Sequence, residues 1–304
     1  MTRSRHLLDL DGADRSTIER FVARAAEFKR GVPSAARLLH GRIVIGMFFE
    51  ASTRTALSFA AAAFRLGAHW LDFNTGASSL GKGESLEDTM RTVRAIGADA
   101  IVVRHSESGF PHSLAPHFGG SIINAGDGCH AHPTQGLLDA LTLQQEFGTL
   151  DGRRLTISGD IKHSRVARSS GRAASLLGAQ VTLCGPPSSL PPDRPAWGFA
   201  AAASDLDAEL PHSDAIMLLR VQKERIDAAG SAPSSDLSGG FGLDAKRYAL
   251  LPAHAIIMHP GPVNRGVEIA ASLVTDARSR IERQVENGTF MRMAVLEACI
   301  GGQS

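Results

Sequence analysis

The sequence predicts an α/β protein of two domains, each a parallel β-sheet flanked by helices, with the active site in the interdomain cleft. Three observations carry this reading. The chain has 304 residues and 43% hydrophobic content, enough to bury a sizeable core and longer than one average domain. Short apolar runs recur between helical stretches, at Ile43–Phe49, Ile101–Val103, Leu155–Ile157, Gln180–Cys184, Ala215–Leu219 and Ala255–Met258, as parallel strands alternate with covering helices. Polar residues follow several runs at once: Glu50 to Thr55, Arg104-His105, Gly159-Asp160, Arg220-Val221-Gln222 and His259-Pro260-Gly261-Pro262. Ligands of open α/β sheets bind just beyond the carboxyl ends of strands, so the pattern points to one shared cleft.

Taken in order, Ser16-x-x-Glu19 reads as a capping box, and Ile18, Phe21, Val22 and Ala25 follow at helical spacing, so the chain opens with an amphipathic helix. Ser52-Thr53-Arg54-Thr55 leads into the helical run Leu57 to Ala63. Free N–H groups at a helix start, hydroxyls and a guanidinium together suit a phosphate; an ordinary Ser/Thr cap beside a solvated arginine is the alternative. Gly76 to Lys82 imitates a Walker A loop, but Gly83 stands where Ser or Thr would bind magnesium, so a mobile loop offering Ser79 and Lys82 to an anion fits better than an ATP site. Pro133 suits a first helical position, Leu137, Leu138 and Leu141 make an apolar face, and Gly148 lies where that helix stops. The segment Leu155 to Cys184 has the size of one βαβ unit. Gly185–Pro195 and Gly230–Gly242 read as surface loops, and Ile281–Ile300 as a helical stretch with Gly288 inside it or breaking it.

Composition narrows the function classes. Lys plus Arg number 32 against 31 Asp plus Glu, so there is no global basic field for nucleic acid or an anionic membrane. The opening MTRSRHLLDLDG lacks an apolar leader core and no later apolar run would span a bilayer, which predicts a cytoplasmic protein. Cys129, Cys184 and Cys299 lie far apart without a CxxC pair, which predicts reduced thiols and no structural disulfide. Cys129, His130 and His132 show no paired ligand spacing, so no metal is expected. Individually, His132 reads equally as a residue beside a helix cap, Gln135 as an exposed one, and Arg220 to Arg225 as a charged strand end.

Six ordered motifs together resemble the aspartate carbamoyltransferase family over nearly the entire chain: Phe48 to Thr55, Ser78 to Ser85, Asn124 to Gly128 with His132 to Gln135, Gly159 to Arg168, Arg220 to Arg225, and His259 to Glu268. The resemblance implies a carbamoyl phosphate-binding domain over 1–132, with a C-terminal helix of about 286–304 packing back on it. It implies an interdomain helix over 133–148 and an aspartate-binding domain over 149–285. By similarity, Ser52, Thr53, Arg54 and Thr55 hold the phosphate, with Arg104 bridging phosphate and carbonyl oxygens. Thr55, Arg104 and His132 polarise the carbonyl, while Gln135 and the backbone carbonyls of Pro260 and Gly261 hold the carbamoyl NH2. Arg165 and Arg220 receive the two carboxylates of aspartate, assisted by Gln222 and by Gly261 and Pro262. Ser79 and Lys82 reach the site from a neighbouring subunit, and Glu50 pairs with Arg165 and Arg225 on closure. The implied enzyme is a homotrimer or higher, needs no cofactor, and acts in pyrimidine biosynthesis; a regulatory chain or dihydroorotase partner is left open.

Two departures from the family stand out. Ala56 and Ala60 replace an arginine and a glutamate four residues apart, a helical ion pair lost as a unit. Residues 230–240 lack the aromatic and charged side chains of the corresponding family loop. Transfer to another amine such as ornithine, and a non-catalytic assembly subunit, are the competing functions.

Overall fold

The computed structural model describes residues 6–74, 83–192, 197, 199–220 and 240–301. The chain forms two compact units, Met1–Leu141 with Glu286–Ser304, and Thr142–Val285. It passes from one to the other inside helix α5 (Pro133–Phe147) and returns inside helix α9 (Ile281–Ile300).

The first unit holds β1 (Ile43–Phe48), β2 (His69–Phe73), β3 (Ala100–His105) and β4 (Ser121–Asp127), all parallel in the order β2-β1-β3-β4. Its other helices are α1 (Arg15–Arg30), α2 (Thr53–Arg65), α3 (Leu86–Ala95) and the short α4 (Phe110–Leu114). β1, β3 and β4 are covered on both faces, and Val44, Met47, Ile101, Val102, Val103, Ile122 and Ile123 have no exposed surface, as strands of a parallel sheet buried on both faces require. Met47, Met90, Val93, Leu114 and Phe118 join one core cluster, where truncating a side chain such as Met47 to alanine costs about 2–5 kcal/mol.

Three strands lie outside the apolar runs. β2 is a half-exposed edge strand, β7 is built from four alanines, and β4 mixes Asn124, Gly126 and Asp127 into its apolar stretch. The capping box at Ser16 is corrected. α1 begins at Arg15 with Asp14 as N-cap, accepting from Thr17 N at 2.8 Å, while Glu19 pairs with Arg15 at 2.8 Å instead of reaching back. Ile18, Phe21, Val22 and Ala25 form the buried face of that helix.

The second unit holds β5 (Arg154–Ser158), β6 (Gln180–Cys184), β7 (Ala200–Ala203), β8 (Ala215–Leu218) and β9 (Ile256–Met258), parallel in the order β7-β6-β5-β8-β9. α6 (Arg165–Leu176) follows β5, and α7 (Leu206–Glu209) and α8 (Ala245–Tyr248) are single turns. Leu206, Ile216, Leu218, Leu243, Ile257, Ile269 and Leu273 form its core. Most of the loop expected at 230–242, and the whole of 221–239, lie outside the described residues.

Each sheet reverses direction once. In the first unit the chain leaves β1 toward β2 and returns to place β3 on the other side of β1; in the second it leaves β5 toward β6 and returns as β8. The strand ends at β1/β3 and β5/β8 are therefore topological switch points, where crossovers diverge and leave a crevice. Among the described residues, no helix is long and apolar enough to cross a membrane.

Candidate functional site

The β1/β3 switch point carries the polar motifs of the first unit. After Phe48 the chain turns through Glu50 and Ala51 into Ser52, the N-cap of α2. Ser52 makes no side-chain capping bond, and the first turn of α2 contains no acidic residue. The ordinary-cap reading of this serine is thus not realised, and the positive end of the helix is met by no negative charge of its own turn. Thr53 and Arg54 are exposed, whereas Thr55 is buried. Ser58 turns inward on the helix, donating to the carbonyl of Arg54 at 2.6 Å.

Arg104 sits on β3 in register with Phe48, and its carbonyl accepts from Phe49 N at 2.9 Å. Its guanidinium is anchored by the Ala125 carbonyl (3.4 Å) and lies 3.4 Å from Glu50. Glu50 and Arg104 are therefore ion-paired within one unit, across the switch point. His105 stacks on Phe110 with centroids 3.7 Å apart, and burial lowers its pKa.

β4 ends in a tightly braced loop. Asp127, wholly buried, receives Asn124 Nδ2 (2.8 Å) and Ala131 N (3.0 Å) on one oxygen and Gly109 N (2.6 Å) on the other, where His130 Nδ1 also lies 2.9 Å away. Burial raises the pKa of this carboxyl, but the hydrogen bonds from His130, Asn124 and Gly109 outweigh it and hold it below the ordinary range. The brace delivers His132, buried, to the start of α5, where its carbonyl accepts from Gln135 N and Gly136 N. Gln135 is also buried, against the reading that left it exposed; its Nε2 donates to Asp139 Oδ1 at 2.9 Å.

Among the described residues, two groups come close enough to suggest a cation, His112/Asp127/His130 and Asp9/Asp11/His130. In the first, both Asp127 oxygens already serve the loop's donors. Neither group contains Cys129 or His132. All three cysteines are free thiols, and burial pushes Cys184 and Cys299 up to about 12, which makes them poor nucleophiles.

Arg292 was not singled out by sequence. It projects from α9 into the first unit's interior, 4% exposed, with its guanidinium 5.1 Å from the centroid of Phe59 on α2. Burial lowers its pKa to about 10, Asp139 opposes that shift, and the nearby charge of Arg54 adds to it. Gly288 is accommodated inside α9 for a local reason: a Cβ there would lie 2.5 Å from Arg292 Nη1.

At the β5/β8 switch point of the second unit, Gly159 (φ 127°) lets the ends of β5 and β8 approach, since a Cβ would meet Leu219 Cβ at 3.3 Å. Asp160 holds His163 Nδ1 at 2.9 Å, and Ser164 caps α6 by accepting from Ala167 N at 3.2 Å. Arg165 opens that helix and is 4% exposed; Arg220 follows β8 and is half-buried. After β9, His259 Nδ1 accepts from Gly261 N (2.8 Å), so its ring proton sits on Nε2, facing Glu268 Oε1 at 3.1 Å. Glu268 also accepts from Asn264 N at 2.6 Å. This network fixes the turn of Pro260, Gly261 and Pro262, in which the Gly261–Pro262 peptide is cis.

The sheet topology thus brings Ser52, Thr53, Arg54, Thr55, Arg104, His132 and Gln135 to one edge of the first unit, and Arg165, Arg220, Pro260, Gly261 and Pro262 to one edge of the second. Ser79, Lys82, Gln222 and Arg225 lie outside the described residues.

Comparison with known proteins bears on both units. Residues 5–145 match the model of the aspartate/ornithine carbamoyltransferase carbamoyl-P binding domain, and residues 151–299 that of the Asp/Orn binding domain. The chain is 50% identical over 301 residues to the aspartate carbamoyltransferase catalytic subunit of Acidothermus cellulolyticus, covering 98% of this chain and 93% of the relative. It is 49% identical to that of Myxococcus xanthus, covering 97% and 99%. Among solved structures, aspartate transcarbamoylase from Trypanosoma cruzi in complex with N-(phosphonacetyl)-L-aspartic acid superposes with a TM-score of 0.87 at 32% identity, covering 97% of this chain and 95% of the other. Ornithine carbamoyltransferase from Thermus thermophilus does so with a TM-score of 0.87 at 25% identity, covering 98% and 100%.

Proposed function

The chain belongs to the aspartate/ornithine carbamoyltransferase family, and on that premise we propose that it transfers the carbamoyl group of carbamoyl phosphate to the amine of L-aspartate. The products are N-carbamoyl-L-aspartate and phosphate, and the step belongs to pyrimidine biosynthesis in the cytoplasm. Aspartate is favoured over ornithine by the half-identical relatives, which are aspartate carbamoyltransferase catalytic subunits. The observation that carries the reading is the uncapped start of α2 at a switch point, with Arg54 in its first turn and Arg104 on the adjacent strand.

In this reading the first unit binds carbamoyl phosphate. The N–H groups of α2 with Ser52, Thr53, Arg54 and Thr55 hold the phosphate, and Arg104 bridges it to the carbonyl oxygen. The neutral amine attacks the carbonyl carbon; Thr55, Arg104 and His132 stabilise the oxyanion as the tetrahedral centre forms. The C–O bond to phosphate then breaks and the amine proton is lost. Because phosphate is already a good leaving group, no acyl-enzyme and no cofactor is needed. Gln135, with the carbonyls of Pro260 and Gly261, orients the NH2. The second unit receives aspartate through Arg165 and Arg220, whose guanidinium forks match carboxylates, with Gln222 assisting.

The active assembly in this reading is a homotrimer or higher, in which Ser79 and Lys82 of one subunit serve the site of the next. Individually inactive Lys82→Ala and His132→Ala proteins should then regain part of their activity when dissociated and reassembled together. Verified hybrids as inactive as either parent would place Lys82 in its own subunit's site or outside the chemistry. The substrate is tested by offering a panel of amines with carbamoyl phosphate. Aspartate should be carbamoylated with the highest kcat/KM, and a faster rate with ornithine or no transfer at all would overturn the assignment.

A further inference from the structure

Asp139 and Arg292 are buried charges that the reaction as described does not use. Asp139 has no exposed surface and sits in a turn of α5 whose neighbours Leu137, Leu138, Ala140 and Leu141 are also buried. A buried carboxylate is tolerated only where donors and an opposite charge meet it. Here one donor is Gln135 Nε2, one helical turn earlier, at 2.9 Å. An opposite charge acts on it electrostatically from Arg292, whose guanidinium a side chain at residue 288 would displace and which stays cationic at neutral pH.

A carboxylate only accepts hydrogen bonds, so Asp139 must face the nitrogen end of the Gln135 amide. The oxygen end is then the one directed away from Asp139. We propose that Asp139, backed by Arg292, is a positioning residue that presents the Gln135 oxygen to the substrate NH2, and so makes the site prefer a carbamoyl phosphate to an acyl phosphate lacking that NH2. The inference rests on the reading that Gln135 meets the carbamoyl group. The chemistry is direct: the carbamoyl nitrogen donates, and a reversed amide would set donor against donor, whereas the methyl group of acetyl phosphate is indifferent to either end of the amide.

The test compares kcat/KM for carbamoyl phosphate with the inhibition constant of acetyl phosphate, in Asp139→Ala, Asp139→Asn, Gly288→Ala and Gln135→Ala forms of the full chain. Asp139→Ala should lower kcat/KM for carbamoyl phosphate about tenfold or more, chiefly through KM, while acetyl phosphate binding changes less than about twofold. Asp139→Asn keeps an accepting oxygen and should recover most of that loss despite a lower Tm. Should Asp139→Ala fail to fold, Gly288→Ala displaces Arg292 while meeting α5 only in ordinary contact, with Leu138 Cδ2 at 3.5 Å, and should shift the same ratio in the same direction. An equal loss for both phosphates would make Asp139 a structural residue and overturn the proposal. A ratio that collapses in Gln135→Ala but not in folded Asp139→Ala would overturn this inference alone; an unchanged ratio in Gln135→Ala would remove the reading beneath it as well.

Discussion

The two units solve the same local problem in opposite ways. In each, a strand at the switch point runs through a short turn to a serine and then into a helix bearing an arginine. On α6 the helix closes on itself: Ser164 is buried and accepts from Ala167 N, and Arg165 is buried beside it. On α2 the equivalent serine makes no capping bond and Arg54 is exposed. Asp14 and Ser85 close α1 and α3 in the manner of Ser164, so the open start of α2 is not a general habit of this chain. A helix that leaves its first N–H groups to an outside partner is suited to a phosphate dianion, which takes several donors at once. A helix that satisfies them internally offers the arginine fork alone, which suits a carboxylate.

The largest effect should come from the open side. Arg54→Ala should lower kcat/KM by about 10²–10³-fold, the usual consequence of removing one preorganised donor from a developing or transferred anion. Its unfolding midpoint should stay near that of the parent chain, since an exposed side chain contributes little to stability. Near-normal turnover in a folded Arg54→Ala protein would end the phosphate assignment and leave the contrast between the helices without functional meaning.

The two serines should then separate stability from binding. Ser164→Ala removes a cap and should cost about 1 kcal/mol in chemical denaturation, with the phosphate inhibition constant unchanged. Ser52→Ala removes no cap; its stability should move by less than about 0.5 kcal/mol while phosphate binds about tenfold more weakly. If both serines lowered stability equally and neither affected phosphate, the open start of α2 would be structural only.

This contrast was half legible in the sequence. The polar residues of both switch points stood out because they end apolar runs, and a strand end followed by Ser, Thr and Arg has few core uses. Which serine caps its helix is set by backbone angles that residue types do not encode, and the same limit moved the N-cap of α1 from Ser16 to Asp14. Strands without large apolar side chains, such as Ala200–Ala203, gave no periodic signal. Gly288 could equally have ended a helix, since propensity alone disfavours it; the Arg292 guanidinium, 2.5 Å from where a Cβ would stand, explains why a glycine sits inside the helix. Asp139 and Arg292 influence each other electrostatically from distant parts of the chain, a relation that no local window contains.

The smallest effect concerns the pair of alanines on α2. Ala56 and Ala60 are half-buried and one turn apart, at positions where the family resemblance implies an arginine and a glutamate. Restoring both, as Ala56→Arg with Ala60→Glu, adds an i,i+4 ion pair worth at most about 0.5 kcal/mol. Two features reduce even that. The arginine precedes the glutamate, the weaker order for such a pair, and it falls in the first turn, where the helix dipole disfavours a cation. The double variant should therefore unfold within about 0.5 kcal/mol of the parent, with kcat/KM changed less than about threefold. A gain in turnover of about tenfold or more would show that the alanines limit the α2 site itself, and that the open helix start is only part of what this unit needs to hold its phosphate.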